Sequence, residues 1–594
     1  MNKQNLNHLR HSCAHLLAAA VLEIWPKAKL TLGPPIEEGF YYDIDFDYIK
    51  GDKKRSEKVK ISEDDLPKIE EKMRQLVKDW KRFERIELTE KKAKEMFKDN
   101  PYKLEIIDEL IKKGEKITAY KSGNFIDLCR GGHIENPKEN LKYFKLLSVA
   151  GAYWRGNEKN KMLTRIYGTC FPSKDQLDKY LWRLKEAKKR DHRKLGKLLN
   201  LFIIPEEVGQ GLLIWTLKGA IIRREIENLI IKEQTKRGYQ HVYTPHIGKK
   251  SLWITSGHWD LYRDKMYSAM KIDDEDYLVK PMNCPMHMMI YKSQPRSYKD
   301  LPIRIAENAT VYRYEQSGEL SGMLRVRYIT QDDAHIFCRK DQVIDEFIAV
   351  FDLIVYLLKI FKINDYYLRL GLRSAKEKYL GNDEIWLKAE QEITKALKKR
   401  NLNFIKSEGD AAFYGPKLDV IVKDSLGREW QCGTIQVDFM LPERFKLEYI
   451  NEKGNPEQPV LIHRAPLGSL ERWVGLLIEH FAGDFPLWLS PVQIVILPVS
   501  TGNVDFALKI KEELEKEGFR VEMNDENKTV SYKIRHYTLQ KIPYMVIIGE
   551  KERESYKFDN VYKVSVRTRE GKNLGMVSLY EFIKKLKRQI ENFF

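Results

Sequence analysis

The stretch Ile462-His463-Arg464-Ala465-Pro466-Leu467-Gly468-Ser469-Leu470-Glu471-Arg472 decides how the chain is read, because its last five residues enter an apolar helix with an arginine at the entrance. An arginine there is a planar, permanently charged fork suited to phosphate oxygens. Working outward, LDVIV (418–422) and residues 430–439 are strand-like runs rich in Val, Ile, Trp and Phe, separated by the turn signal Asp424-Ser425-Leu426-Gly427. So short a connection predicts antiparallel pairing. Farther upstream, Arg313-Tyr314-Glu315 is followed by Arg325. Upstream again, residues 218–237 place Ile221, Ile222, Ile226, Leu229 and Ile230 at helical spacing, and Gly238 stops that amphipathic helix before Tyr239-Gln240-His241-Val242-Tyr243-Thr244-Pro245. Taken singly, each arginine reads as a surface ion pair.

The whole chain is too long for one core. Its 594 residues correspond to roughly four domains at about 150 residues each. With 43% hydrophobic, 11% aromatic and 32% charged residues, collagen-like, low-complexity and wholly disordered chains are excluded. The formal net charge of +18 suits a surface that attracts polyanions. Six cysteines are scattered without CxxC pairs, which argues against a disulfide scaffold and for a reducing compartment, so a cytoplasmic location is expected. The apolar stretch 14–22 is interrupted by His15 and followed by Glu23, no segment is long enough to span a bilayer, and no membrane partner is expected.

Four pieces are predicted: 1–172, mixed helices and strands; 173–200, a charged linker helix containing LDKYLWRLKEAKKRDHRKLGKLL (177–199); 201–488, the large piece described above; and 489–594, whose alternation of VQIVILPV, helix, strand, helix, YMVIIG and closing helix is the βαβα rhythm of a parallel-sheet domain.

In order, the helix–glycine–edge-strand segment, the Arg313/Glu315/Arg325 segment and the Gly468–Arg472 entrance resemble motifs 1, 2 and 3 of class II aminoacyl-tRNA synthetases. The resemblance sharpens to the threonyl-tRNA synthetase family through MNCPMHM (282–288), TQDDAHIF (330–337), AAFYGPK (411–417), QCGTIQVDF (431–439) and IHRAPLGSLER (462–472). It implies a multidomain α+β and α/β protein with an antiparallel-sheet catalytic core at 201–488. It also implies threonine–tRNA ligase activity: ATP-dependent formation of threonyl-adenylate, then transfer to tRNA(Thr). Adenylate formation builds charge on the α-phosphate and needs fixed cations. Arg313 is therefore the candidate for that phosphate and Arg472 for the outer ones, with Arg325 in the catalytic group, Glu315 accepting from the adenine amino group, and Gln431 and Thr434 completing the ATP site. Where the class usually stacks an aromatic on adenine, four residues past Arg325, this chain has Ile329.

The family holds one zinc ion by a Cys and two His, matching Cys284, His335 and His463; read alone, these are a buried small hydrophobe and two core histidines. Three protein ligands leave coordination positions open. Threonine offers an amine and a hydroxyl, valine only the amine. Gln331, Asp333, Tyr414 and Gln436 would line the threonine pocket, and Mg²⁺ would accompany ATP. Tyr414 also reads as a core ring with a satisfied hydroxyl. A period-two reading sets Cys432, Thr434, Gln436 and Asp438 on one strand face, with Cys432 as packing.

Serine keeps the amine and hydroxyl and lacks only a methyl, worth about 1–3 kcal/mol, so a second sieve is required. His11-Ser12-Cys13-Ala14-His15 and Cys129-Arg130-Gly131-Gly132-His133 resemble the HxxxH and CxxxH signatures of the editing domain shared by threonyl- and alanyl-type synthetases. The resemblance implies an editing domain over 1–172 in which His11, His15, Cys129 and His133, with Lys103 and Asp127, orient water and ester for hydrolysis of seryl-tRNA. Four such residues equally suit a tetrahedral zinc site. The family's small ubiquitin-like domain ahead of this module is not found in the sequence, and activity is expected not to depend on it. Residues 489–594 resemble the anticodon-binding domain of class II synthetases, with Asn527, Arg535, Glu552 and Arg567 at the matching positions. Motif 1 of this class builds a two-fold interface, which implies a homodimer. A non-catalytic RNA-binding relative and a hydrolase acting through 1–172 alone are the rival readings.

Overall fold

Alanine-rich sequence and apolar residues at three- and four-residue spacing make the helix Lys3–Ile24, whose Leu9, Cys13, Leu16, Leu17 and Val21 are buried in the core of the first unit. This computed structural model describes residues 3–46, 59–374, 379–424 and 427–594. The chain forms two compact units, 1–184 and 185–594.

In the first unit the helix packs on a sheet ordered Lys29–Leu30, Gly39–Asp45, Met162–Phe171, Tyr143–Tyr153, with Pro35–Ile36 pairing Gly39–Asp45. A second sheet pairs Glu84–Leu88, Ile117–Ser122 and Phe125–Leu128 in antiparallel register. Gly39 and Gly168 are obligatory close approaches in the first sheet, because a Cβ on Gly39 would stand 2.2 Å from the Gly168 carbonyl oxygen. The single helix expected over 173–200 is two: Lys174–Arg190 and His192–Leu198, parted at Asp191, whose side chain accepts from the Arg193 N–H and caps the second.

In the second unit the long helix runs Leu217–Thr235 and ends before Gly238, which adopts φ 79°. Eight strands follow one another across the sheet: Gln240–His241, Ile303–Tyr312, Tyr328–Cys338, Val460–Ala465, Glu429–Asp438, Lys417–Lys423, Tyr366–Leu372 and Phe404–Glu408. The five inner pairings are antiparallel and the two edge pairings parallel. The predicted hairpin is present. Ser425 and Leu426 of its turn lie outside the described residues, and the ends close through Asp424 N–H to the Arg428 carbonyl at 2.9 Å. Strand alternation sends Ala334 and Ile336 into a core shared with the helices Val343–Ile360 and Leu470–His480, and turns Gln331, Asp333 and His335 to the other face.

The final sheet, Val521–Met523, Ile494–Pro498, Tyr544–Ile548, Lys563–Thr568, Asn573–Ser578, is parallel over its first three strands and antiparallel over its last two. The parallel-sheet expectation is thus corrected at this edge, where two strands meet through the short connection 569–572 rather than a crossover helix. No helix among the described residues is long and apolar enough to cross a membrane.

Candidate active site

The face of the large sheet opposite its helices forms the floor of a cavity of about 780 Å³. Arg313, Glu315, Arg325, Ile329, Gln431, Thr434 and Arg472 line one part of it, and Gln331, Asp333, Tyr414, Gln436, Cys284 and His463 another. Arg472 stands in the first turn of the helix Leu470–His480, which Ser469 caps by accepting from the Arg472 N–H. Its Nε donates to the Leu324 carbonyl at 3.0 Å and its Nη1 to the Gln431 carbonyl at 3.1 Å. Burial, followed among the opposing charges by those of Arg325 and Arg313, lowers the Arg472 pKa below the ordinary guanidinium value. Arg325 is paired with Glu319 at 3.4 Å, whereas Arg313 and Arg472 form no ion pair among the described residues, so guanidinium charge is left facing the cavity for an anion. Arg313 keeps a buried Nε without a hydrogen-bond partner.

Glu315 is buried, and Lys265, which the sequence reading did not single out, reaches its Oε2 at 2.9 Å and Glu319 at 3.1 Å. Gln431 and Thr434 both donate to Asp419 Oδ1 at 2.9 Å, an acceptor held at its other oxygen by Lys417. The strand face that period two predicts holds at Thr434, Gln436 and Asp438 and is offset only at Cys432. A bulge pairs Val420 with Gly433 and Ile421 with Gln431, so Cys432 is the extra residue; Gln431 and Thr434 hydrogen-bond each other at 2.9 Å, while Cys432 joins the core. Burial pushes the Cys432 thiol up to about 12.

Cys284, His335 and His463 come from three distant segments, yet one ligand atom of each lies within 4.8 Å of the others, and all three residues are buried. His335 Nε2 and His463 Nδ1 have no hydrogen-bond partner, whereas the opposite ring nitrogens are engaged. His463 Nε2 meets Asp438 Oδ2 at 2.8 Å; a carboxylate only accepts, so the proton sits on Nε2 and Nδ1 presents a lone pair. His335 Nδ1 meets His287 Nδ1 at 2.8 Å, and His287 Nε2 meets Glu307 Oε2 at 3.2 Å. With protons on His287 Nε2 and His335 Nδ1, that chain is satisfied and the His335 lone pair is also free at Nε2. Two orphaned imidazole nitrogens beside a thiol fit a zinc ion, and the orienting carboxylates are the partners such ligands take. Burial, then the charges of Asp333 and Asp438, pushes the Cys284 thiol well above its ordinary value, so a cation is what would hold it as thiolate. Around this cluster, Asn283 donates to Asp333 at 2.9 Å, Tyr414 donates to Gln436 at 2.6 Å, and the Tyr414 ring stacks on His463 at 4.8 Å.

The first unit holds a second cavity of about 730 Å³, lined by His11, His15, Lys103, Asp127 and Cys129. His133 completes the cluster: Cys129 Sγ lies 3.5 Å from His11 Nε2 and 3.3 Å from His133 Nε2, and accepts from the Gly131 N–H. Burial lowers the His11 and His133 pKa values and places that of His15 well below normal, so these imidazoles are neutral, and it pushes the Cys129 thiol up to about 11. Lys103 and Asp127 form a buried ion pair at 2.6 Å, and Tyr42, not foreseen as a site residue, donates to Asp127 at 2.5 Å.

In the C-terminal domain, Asn527, in the connection ahead of the helix Val530–Leu539, and Arg535, on that helix, are exposed, and Arg567 is half-buried on the strand Lys563–Thr568. Glu552 differs from them. It is buried, its oxygens accepting from the Gly549 N–H at 2.8 Å and the Ser565 hydroxyl at 2.6 Å, so it caps the helix Glu550–Asp559 rather than standing free at the surface.

Three family profiles match the chain: "tRNA synthetase class II core domain (G, H, P, S and T)" over 267–481, "Anticodon binding domain" over 493–589, and "Threonyl and Alanyl tRNA synthetase second additional domain" over 117–167. The threonine–tRNA ligase of Sulfurihydrogenibium sp. (strain YO3AOP1) is 48% identical over 595 residues, covering 100% of this chain and 90% of that protein. The threonine–tRNA ligase of Cytophaga hutchinsonii is 50% identical over 586 residues, covering 98% and 88%. Among solved structures, the RNA binding domain of threonyl-tRNA synthetase from Cryptosporidium parvum Iowa II superposes with a TM-score of 0.64 at 37% identity, covering 67% of this chain and 98% of that one.

Proposed function

The chain belongs to the threonine–tRNA ligase family of class II aminoacyl-tRNA synthetases, and on that premise we propose that its larger cavity is where threonine and ATP are joined before transfer to tRNA(Thr). The observation that carries this reading is the meeting, in one cavity, of three arginines with Cys284 and His463, behind which the fully buried His335 completes the thiol–imidazole–imidazole cluster. Arg313 and Arg472 would bind the α- and outer phosphates of ATP, brought as its magnesium complex, and stabilise charge as pyrophosphate leaves. Arg325 closes the phosphate end, Glu315 accepts from the adenine amino group beside Ile329, and Gln431 and Thr434 orient the nucleotide from the strand Glu429–Asp438. Cys284, His335 and His463 would hold zinc, whose chemistry when bound is that of a Lewis acid accepting an amine and a hydroxyl together. Asp333, oriented by Asn283, accepts from the substrate, and Gln331, Tyr414 and Gln436 enclose it.

The smaller cavity is assigned to hydrolysis of seryl-tRNA, with His11, His15, Cys129 and His133 positioning water and ester and the Lys103–Asp127 pair fixing the wall. The surface bearing Asn527, Arg535 and Arg567 is assigned to the anticodon, with Glu552 setting the end of the helix behind it. The unpaired state of all six cysteines supports a reducing, cytoplasmic setting. Homodimerisation is proposed through the motif 1 segment, where Tyr243 is 91% exposed. Threonine-dependent exchange of pyrophosphate into ATP tests the ligase reading: exchange with threonine and little with valine is expected, and absence of exchange would refute it.

A further inference from the structure

Asp191, His192 and Glu479 form a third group of metal-type side chains within 4.8 Å of one another, and their hydrogen bonds show that it serves another purpose. His192 opens the short helix His192–Leu198, Glu479 lies seven residues beyond Arg472 on the helix Leu470–His480, and both are buried, at 2% and 3% exposure. His192 Nδ1 meets Glu479 Oε1 at 2.7 Å, so Nδ1 carries the proton; Nε2 is then a lone pair, and it accepts from the backbone N–H of Met323 at 3.1 Å. Glu479 is completed by Arg428, whose Nη2 reaches Oε2 at 2.7 Å, and Asp191 is engaged by Arg193. No ring nitrogen is left for a metal.

Met323 belongs to the tight turn that ends at Arg325, closed by the Ser321 N–H to the Arg325 carbonyl and the Leu324 N–H to the Ser321 carbonyl. That turn rests on His192 at Met323 and on Arg472 at Leu324. The fit is tight: Gly322 adopts φ +51°, and a Cβ there would stand 2.3 Å from His192 Nε2. Opposite, a Cβ on Gly475 would stand 3.1 Å from that of Met323.

We propose that His192 is a positioning residue for the nucleotide step: its imidazole holds the turn 321–325 against the helix of Arg472, and so fixes Arg325 and Arg472 relative to each other. The proposal rests on the reading of the cavity as the ATP site. An asparagine at 192 presents its amide N–H where Nδ1 stands and keeps the donor to Glu479, but offers nothing to Met323; a glutamine can return an acceptor oxygen near the position of Nε2. In pyrophosphate exchange, His192→Asn is expected to raise KM for ATP about tenfold, the scale of one buried hydrogen bond, with KM for threonine within about twofold and a melting temperature near wild type. His192→Gln is expected to recover most of the loss. An unchanged KM for ATP in His192→Asn, or a parallel rise in both KM values with a collapsed melting temperature in both variants, would overturn the latch. A wild-type protein without exchange would overturn the ATP-site reading and the latch with it.

Discussion

Replacing Asp438 by asparagine isolates what orients the metal ligands. Asp438 is fully buried; its Oδ1 accepts from the Met440 and Leu441 N–H groups at 2.7 and 3.0 Å, and its Oδ2 from His463 Nε2 at 2.8 Å. In Asp438→Asn the amide oxygen must stay with the two backbone donors, because turning the NH₂ group to them would leave both unsatisfied. The NH₂ therefore faces His463 Nε2, which has to surrender its proton and move it to Nδ1, the atom the metal needs. Loss of a buried hydrogen bond to a charged group costs roughly 1.5–3 kcal/mol, and at about 1.4 kcal/mol per decade this agrees with the 10–100-fold loss usual for such partners. Zinc titration of metal-stripped protein against a chromophoric chelator should show that weakening, while the metal-free melting temperature moves by only a few degrees because the Met440 and Leu441 bonds survive. Zinc affinity within twofold of wild type would refute the tautomer argument.

Other consequences follow from the two cavities. His11→Ala with His15→Ala should abolish hydrolysis of seryl-tRNA while threonine-dependent exchange persists; unchanged deacylation would contradict the assignment. Lys103→Met strands the buried Asp127 carboxylate, a loss of about 3–5 kcal/mol, and should lower the melting temperature of the first unit by more than about 6 °C, with Lys103→Met/Asp127→Asn recovering most of it. Burial, opposed by Arg464 and by the Leu467 and Gly468 N–H groups, pushes the Asp332 carboxyl up to about 7. An unfolded aspartate titrates near about 3.9, so between about pH 4 and 7 the folded protein keeps a proton that the unfolded chain releases, and stability falls as pH rises through that window. Urea midpoints at pH 5 and 7 should differ in that direction for wild type and converge in Asp332→Asn.

Motifs that carry chemistry were legible as groupings and not singly: one arginine reads as a surface ion pair, and it is Arg313 before Glu315, Arg472 at a helix entrance, and His11 and His15 one helical turn apart that resemble known signatures. The convergence of Cys284, His335 and His463 was readable only through family likeness, since nothing in their spacing brings three strands or helices to one point. What escaped depends on neighbours distant in sequence. The bulge at Cys432 shifts the alternation by one residue, bringing Gln431 to the same face as Thr434 and Gln436, and alternation alone carries no sign of it. The break at Asp191 lies inside a charged run with helical periodicity on both sides, and the capping of Glu550–Asp559 by Glu552 withdraws a carboxylate that the sequence leaves free. His287, Glu307 and Asp438 were missed as orienting groups because a hydrogen-bond relay has no period.

Counting zinc by mass spectrometry in the purified, exchange-competent protein decides whether Cys284, His335 and His463 hold a metal. One ion per chain, lost in Cys284→Ser, is the predicted result; a fully active protein that contains no zinc would contradict the account.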